Sequence, residues 1–274
     1  MNSPMIPSKY KVVDKVIETE NSFTLTLSDN EEHDSSFKSG QFNMLYVFGI
    51  GEVAISISGS SDNNKNISHT IRTVGKVTEA LGELSKGDVI GVRGAFGSVW
   101  PLDSSHGKDL VIMAGGCGLA PLRSAIYQII EEREKYGMVT LLYGVKSIKD
   151  VYFADELTEW AEKSDIKVVI TADIAEEDNT CRTGLVTELV GEHEIDSQNT
   201  IAMVCGPEIM MKCCADVLIS KNLPKENIYL SLERNMKCAI GICGRCQFGG
   251  DFICKDGPIF SYDKVENRLQ VEEL

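Results

Sequence analysis

Cys238, Cys243, Cys246 and Cys254 follow one another in the spacing C-x4-C-x2-C-x7-C. Thiols at that density, in a chain that reads as cytosolic, are metal ligands in preference to disulfides. Small residues separate them (Ala239, Gly241, Gly244), so a loop can wrap a compact object with its backbone amides aimed at the sulfurs. The first three positions carry the spacing of plant-type [2Fe–2S] ligation, while the fourth thiol arrives much sooner than in free ferredoxins. Four thiolates also suit Zn²⁺, although zinc sites usually pair two short C-x2-4-C knuckles. Spacing therefore favours iron–sulfur and leaves zinc as the competing reading. A thioredoxin-type reading of Cys243 and Cys246 lacks the βαβ frame it needs.

Glycine turns supply the second chemistry. Ala114-Gly-Gly-Cys-Gly-Leu-Ala-Pro121 joins the apolar run Leu110–Ala114 to a segment of helical period, Leu122–Tyr136. Glycines there let the backbone approach a phosphate, Pro121 suits a first helical position, and the helix start offers free N–H groups to negative charge. A plain tight βα turn is the alternative, and the pattern departs from G-x-G-x-x-G by ending in Pro121. Cys205-Gly-Pro207 repeats the arrangement before a helix over Glu208–Lys221. Its thiol stands where ligands bind in a doubly wound sheet, or is a core cysteine. Gly75-Lys-Val-Thr78 opens a short helix, Val77–Leu84, and offers a hydroxyl and amides to a phosphate, or only a cap.

These residues need elements to hold them. Short β segments at Tyr10–Ile17, Ser22–Leu27, Phe42–Phe48, Val53–Ser58, Ile67–Val74 and Asp88–Arg93, separated by Gly, Ser, Asn and Asp, predict a closed antiparallel barrel. Beyond Asp103 apolar strands alternate with helices (Val139–Tyr143, Asp155–Lys163, Lys167–Thr171, Ile201–Cys205, Ile228–Leu232), the rhythm of a parallel, doubly wound sheet. From Glu233 the chain is rich in Gly and Cys with little periodicity, which predicts a small module organised by something other than an apolar core.

Length and charge bound the function. The chain has 274 residues, enough for two domains of ~150 residues. With 27 Lys plus Arg against 41 Asp plus Glu, its net charge of -14 repels nucleic acid and anionic lipid, though not a small anion in a local basic pocket. No run approaches the ~20 apolar residues of a membrane helix. Residues Met1–Tyr10 lack a basic head followed by an apolar stretch, so a cytoplasmic location is expected. His33, His69, His106 and His193 are dispersed without metal-ligand spacing and read as solvated, as does the acidic run Ala175–Asp178. The absence of G-x-S-x-G and of a G-K-[ST] P-loop removes two hydrolase readings.

Taken in order, these motifs resemble the ferredoxin–NADP reductase superfamily, and within it the electron-transfer subunits that end in a [2Fe–2S] module. Ser39-Gly-Gln-Phe42, Ile55-Ser-Ile-Ser58, Arg72–Thr78, Gly87–Gly97, Tyr143-Gly-Val-Lys146 and Leu232-Glu-Arg-Asn-Met-Lys-Cys238 carry the resemblance. The tail Phe252–Phe260 is most similar to gamma (diaphorase) subunits of NiFe hydrogenases, or sulfhydrogenases. The electron-transfer subunits of anaerobic sulfite reductase and of dihydroorotate dehydrogenase, and the small subunit of electron-bifurcating transhydrogenase, are siblings.

The resemblance implies a six-stranded flavin-binding barrel (1–103), a doubly wound nucleotide-binding domain (104–232) and a [2Fe–2S]-binding module (233–274). It implies FAD along Ile55, Ser56, Ile57, Ser58 and Ile71–Val74, with Gly75, Val77 and Thr78 toward the pyrophosphate. Many members open the flavin motif with Arg; here Val53-Ala-Ile-Ser56 stands instead, which leaves Arg72 or backbone amides to meet the phosphates. NAD(P)H is implied on Gly115, Gly116, Gly118, Ala120, Pro121, Lys146, Gly206 and Pro207, its nicotinamide near Cys205 as the catalytic candidate. Lys146, Arg123 and Arg182 are the cations that could meet a 2′-phosphate. Cys238, Cys243, Cys246 and Cys254 are the implied cluster ligands. The expected activity is an NAD(P)H oxidoreductase passing electrons to a partner iron–sulfur or hydrogenase subunit. Sulfite reductase or dihydroorotate dehydrogenase are alternative partners, and a zinc-stabilised assembly module is the reading from another class.

Overall fold

The computed structural model describes residues 3–29, 36–61, 66–174 and 182–271; His33, Cys181 and the acidic run at 175–178 lie outside them. The first half is built from β1 (Ser8–Thr19), β2 (Ser22–Asp29), β3 (Phe42–Val47), β4 (Gly51–Ser56), β5 (Asn66–Arg72) and β6 (Val89–Phe96), with α1 (Lys76–Glu83) before β6. All pairings are antiparallel, in the order β4-β3-β6-β1-β2-β5. Irregularities in β1 after Val12 and Ile17 and in β3 after Phe42 sharpen the local twist and curl the sheet. Its two edges meet: the amide of Ser58, just past β4, donates to the Ser68 carbonyl of β5 at 2.9 Å. Alternate residues Val12, Leu25, Leu27, Leu45, Ile71 and Ile90 fill the interior.

His69 corrects the expectation of solvated histidines. It falls between Ile67 and Ile71 at the inward period of β5 and is 0% exposed. Its Nδ1 lies 3.0 Å from the Ser56 carbonyl, which can only accept, so Nδ1 carries the proton and Nε2 accepts from Asn43 Nδ2 at 3.2 Å. The ring thus bridges β5 to β4 and β3. Burial pushes its pKa down to about 4, against the opposing pull of the Ser56 and Ile55 backbone. His106 is exposed and His193 half-buried.

The second half contains β7 (Asp109–Gly115), α2 (Leu119–Glu131), β8 (Val139–Val145), α3 (Ala154–Lys163), β9 (Lys167–Ala172), β10 (Arg182–Thr183), α4 (Val186–Glu192), β11 (Thr200–Cys205), α5 (Glu208–Ser220) and β12 (Ile228–Ser231). Next come β13 (Gln247–Phe248), β14 (Asp251–Phe252), α6 (Ile253–Asp256), β15 (Ile259–Ser261) and α7 (Tyr262–Leu269). Seven strands form one sheet, ordered β10-β9-β8-β7-β11-β12-β15. Its connections reverse between β7 and β11, so both glycine turns open at the switch point.

The tail differs from expectation. β15 runs antiparallel to β12 as the sheet's edge. Phe248, Ile253, Phe260, Tyr262, Val265 and Leu269 are buried in one apolar cluster with Val204, Leu218 and Leu230. The segment after Glu233 therefore carries core as well as thiols, which its high glycine content concealed. Among the described residues no helix is long and apolar enough to cross a membrane.

Protonating His69 would place a charge inside the barrel. Because its pKa is depressed in the folded state, the unfolded chain binds the proton more readily between pH 6.5 and about 4. We expect urea unfolding to show stability level above pH 6.5 and about 3 kcal/mol lower near pH 4 from this residue. His69→Gln should lack that share of the slope.

Candidate functional site

On the barrel side, β4 is half-buried along its whole length, whereas β3 beside it is mostly buried. Ile55 and Ser56 present partly open surface. Ile57 and Ile71 instead pack into the barrel core, so either would meet a ring system through its backbone. Ser58 is buried, its hydroxyl 2.8 Å from that of Thr70. Arg72 and Val74 project outward and Val77 is half-covered. A Cβ at Gly75 would meet nothing within 4 Å, so space is open where the chain turns into α1.

Thr78 behaves as a cap. Its hydroxyl accepts the amides of Val74 at 2.9 Å and Gly75 at 3.0 Å and donates to the Gly75 carbonyl at 2.9 Å. Two lone pairs and one proton are thereby used, so the expected hydroxyl contact to a phosphate has no free atom to make it. The backbone at the start of α1 is what remains for an anion.

The two glycine turns are pressed against each other. A Cβ on Gly118 would lie 2.3 Å from the Cys205 carbonyl oxygen, and one on Gly206 would lie 3.1 Å from the Gly115 Cα. Gly115 is closed off by Met210 and Pro207. Gly118 serves backbone-to-backbone packing and Gly115 and Gly206 make room for the Met210 side chain, while Gly116, at φ +51 with open space beside it, faces outward. The helix after the turn begins at Leu119, earlier than its period suggested, after one tight turn over Gly116–Gly118. Pro121 is accordingly the third helical residue, beside buried Ala120, and needs no amide partner there.

Of the cations considered for a 2′-phosphate, two are engaged. Arg123 grips the Glu156 carboxylate, donates to the Ser58 carbonyl at 3.1 Å and stacks over Phe153 at 4.2 Å. Arg182 pairs with Glu192 at the surface. Lys146, at the end of β8, is exposed and forms no ion pair among the described residues.

Three segments converge around two thiols. Cys205, at the end of β11, is buried. Burial drives its pKa well above the ordinary value, Glu233 adds to the rise, and a hydrogen bond from Ser231 opposes it. Cys117 is raised by burial too, against a hydrogen bond with Tyr152, and it feels Glu233, Arg72 and Glu18. Glu233 keeps exposed surface, yet surrounding protein raises its pKa and Arg72 pulls it back. Sequence reasoning assigned no role to Cys117, Tyr152, Ser231 or Glu233. The Gly-Gly-Cys-Gly run and the Leu-Glu-Arg segment were the available signals.

In the thiol module Cys238, Cys246 and Cys254 are buried and Cys243 is exposed. Ala239, Gly241 and Gly244 have φ of 64, 73 and 74, and these left-handed turns bring amides inward. Ile242 N–H donates to Cys238 Sγ at 3.3 Å, and Gly241 N–H to Cys254 Sγ at 3.3 Å. Burial works against ionising Cys238, yet the amides of Ile240, Cys243 and Ile242 hold its pKa below the ordinary range. Cys243 approaches Cys238, and Cys246 approaches Cys254. Among the described residues no three His, Cys, Asp or Glu side chains gather as ligands of one metal ion. Two pairs of thiols with amide donors at sulfur suit a two-metal cluster better than one Zn²⁺.

Comparison with known proteins is consistent with this geometry. Residues 112–216 match the family described as the oxidoreductase NAD-binding domain. Residues 233–266 match the iron–sulfur cluster binding domain of dihydroorotate dehydrogenase B. Sulfhydrogenase 2 subunit gamma of Pyrococcus furiosus is 37% identical over 91% of this chain and 92% of its own. A probable dihydroorotate dehydrogenase B electron-transfer subunit of Methanocaldococcus jannaschii is 34% identical over 86% of this chain and 83% of its own. Among solved structures, an NADH-dependent reduced ferredoxin–NADP oxidoreductase studied for flavin-based electron bifurcation superposes with a TM-score of 0.73. That match has 23% identity and covers 100% of this chain and 96% of that one.

The glycines separate by substitution. Gly118→Ala, forced against the Cys205 carbonyl, should lower the thermal midpoint by several degrees, an overpacking cost of about 1–3 kcal/mol. Gly75→Ala, in extended backbone with space around it, should leave the midpoint unchanged in the same differential scanning measurement.

Proposed function

This chain belongs to the family that contains the sulfhydrogenase gamma subunits and the dihydroorotate dehydrogenase B electron-transfer subunits, and from that premise we propose that it carries electrons from NAD(P)H through FAD and a [2Fe–2S] cluster to a partner subunit. The observation that carries this reading is the convergence of Arg72 at the end of β5, both glycine turns and Glu233 ahead of the thiols around Cys117 and Cys205. Family membership makes the chain an NAD(P)H-dependent oxidoreductase subunit. The partner is proposed to be an iron–sulfur subunit of a NiFe hydrogenase complex in the cytoplasm. The match of residues 233–266 favours one alternative, a dihydroorotate dehydrogenase complex.

A bound flavin accepts electrons in pairs and releases them singly, which links a nicotinamide to iron. The protein's task is position. In this reading Ile55, Ser56 and the backbone of Ile57 and Ile71 form one wall of the flavin site, with Arg72, Val74, Gly75 and the start of α1 near its phosphates. The outward backbone of Gly116 with Ala120 and Pro121 would receive the dinucleotide, and Lys146 its ribose end. Buried Cys205 and half-buried Cys117, whose pKa values are both raised, would offer polarisable surface to the nicotinamide without adding charge. The four clustered cysteines would hold the irons, with Cys243 at the exposed edge facing the partner. We propose the division 1–103, 104–232 and 233–274 for these three duties, with the tail strand β15 returning to the second unit's sheet.

Anaerobically prepared protein should contain about one FAD and two irons with acid-labile sulfide per chain, seen as yellow-brown absorbance. A colourless, zinc-containing protein would overturn the reading. Cys205→Ala should keep its FAD but slow flavin bleaching by NAD(P)H about tenfold or more in stopped flow, because ring placement would loosen. Co-purifying subunits identify the partner.

A further inference from the structure

Arg93 lies on β6 at 4% exposure, within the Gly87–Gly97 stretch but with no role assigned to it above. Its Nε and Nη2 each donate to a carboxylate oxygen of Glu52 on β4 at 2.7 Å. Its Nη1 donates to the Pro4 carbonyl at 2.8 Å and to the Cys238 carbonyl at 3.1 Å, and Nη2 reaches the Lys237 carbonyl at 3.3 Å. The guanidinium also stands over the Phe96 ring at 5.7 Å. One side chain therefore joins the N-terminal segment, the half-covered strand β4 and the two peptides flanking the first thiol.

The next residue makes this contact consequential. Ala239 has φ of 64, a left-handed conformation that side-chain-bearing residues rarely adopt. The two carbonyls gripped by Arg93 immediately precede it, and Cys238 Sγ then receives the Ile242 amide at 3.3 Å. Buried ion pairs contribute little net stability against packed apolar residues, and fixing geometry is their better-attested use. Only a planar, five-donor guanidinium can span a carboxylate and several carbonyls at once; an ammonium cannot.

We propose that Arg93 is the positioning residue that sets the Cys238 loop against the β4 strand, so that electron passage from flavin to cluster depends on it while nicotinamide oxidation does not. This rests on the functional reading above. The step concerned moves one electron from reduced flavin to ferric iron and makes or breaks no bond.

The test compares Arg93→Lys and Glu52→Gln with wild type. In protein prepared without iron, amide hydrogen exchange at Ile240 and Ile242 should quicken severalfold in Arg93→Lys. In reconstituted protein, FAD content and stopped-flow bleaching by NADH or NADPH should stay within about twofold of wild type, while freeze-quench EPR shows cluster reduction slowed at least about tenfold. Glu52→Gln should shift both readouts in the same direction by less. Cluster reduction at the wild-type rate in flavin- and iron-replete variants would overturn the proposal, as would an equal slowing of bleaching and cluster reduction. If Arg93→Lys does not fold, Glu52→Gln decides alone. If wild type holds neither flavin nor iron, the functional reading fails, and the exchange comparison still decides whether Arg93 holds the thiol loop.

Discussion

Backbone pressed on backbone at the carboxyl ends of β7 and β11 is the contact on which the rest of the molecule depends. Gly118 and Cys205 approach so closely that no side chain could stand between them. The two turns thereby become one platform at the switch point of the sheet, with Cys117 and Cys205 on it. A nicotinamide and a flavin exchange electrons only when their rings are stacked with water excluded. Turns this closely joined, with only Met210 packed against Gly115 and Gly206, leave room for that approach, and the glycines' conformational freedom is secondary to it except at Gly116.

Around this platform, buried polar side chains brace the joints. Arg93 links β4, the N-terminal segment and the Cys238 loop. His69 links β4 to β5 and β3. Arg123 links α2 to α3 and to the Ser58 carbonyl just beyond β4. Each brace touches β4 or the residues that follow it, the strand that is itself only half-covered. Apolar packing tolerates sliding at such places, whereas directed hydrogen bonds between buried groups favour one arrangement. Losing one partner of such a network leaves a buried charge or dipole unpaired, so the arrangement is all-or-none.

Much of the fold was legible because periodicity reports burial. The alternating segments up to Arg93 became an antiparallel sheet, and the apolar runs at Leu110–Ala114 and Ile201–Cys205 became central parallel strands, as continuous burial on both faces requires. The thiol spacing was legible for a different reason, since ligand chemistry leaves a local mark. What stayed hidden depended on distant partners. His69 looked solvated because histidine is polar, although its place between Ile67 and Ile71 gave its direction. Thr78 is the local exception: the sequence offered a phosphate contact or a cap, and the amides of Val74 and Gly75 make it the cap. Arg123 looked free because Glu156 is 33 residues away. The tail looked coreless because Phe248, Phe260 and Val265 find their neighbours on α5 and β12.

Charge bears on the groups gathered at the two glycine turns, whose pKa values burial raises. The chain carries a net charge of -14, and a dinucleotide brings further negative charge to it. Thiolates at Cys117 and Cys205, or a free carboxylate at Glu233, would add to that negative charge around the two glycine turns. Burial raises the pKa of all three and so shifts each toward its uncharged form, with Arg72 opposing the shift at Glu233. At Cys238 the same burial is outweighed by converging amides, which favour the thiolate that metal ligation requires. Backbone amides thus lower the pKa of one buried thiol, Cys238, while that of Cys205 is raised by burial and that of Cys254, buried beside Cys246, is pushed up to about 12.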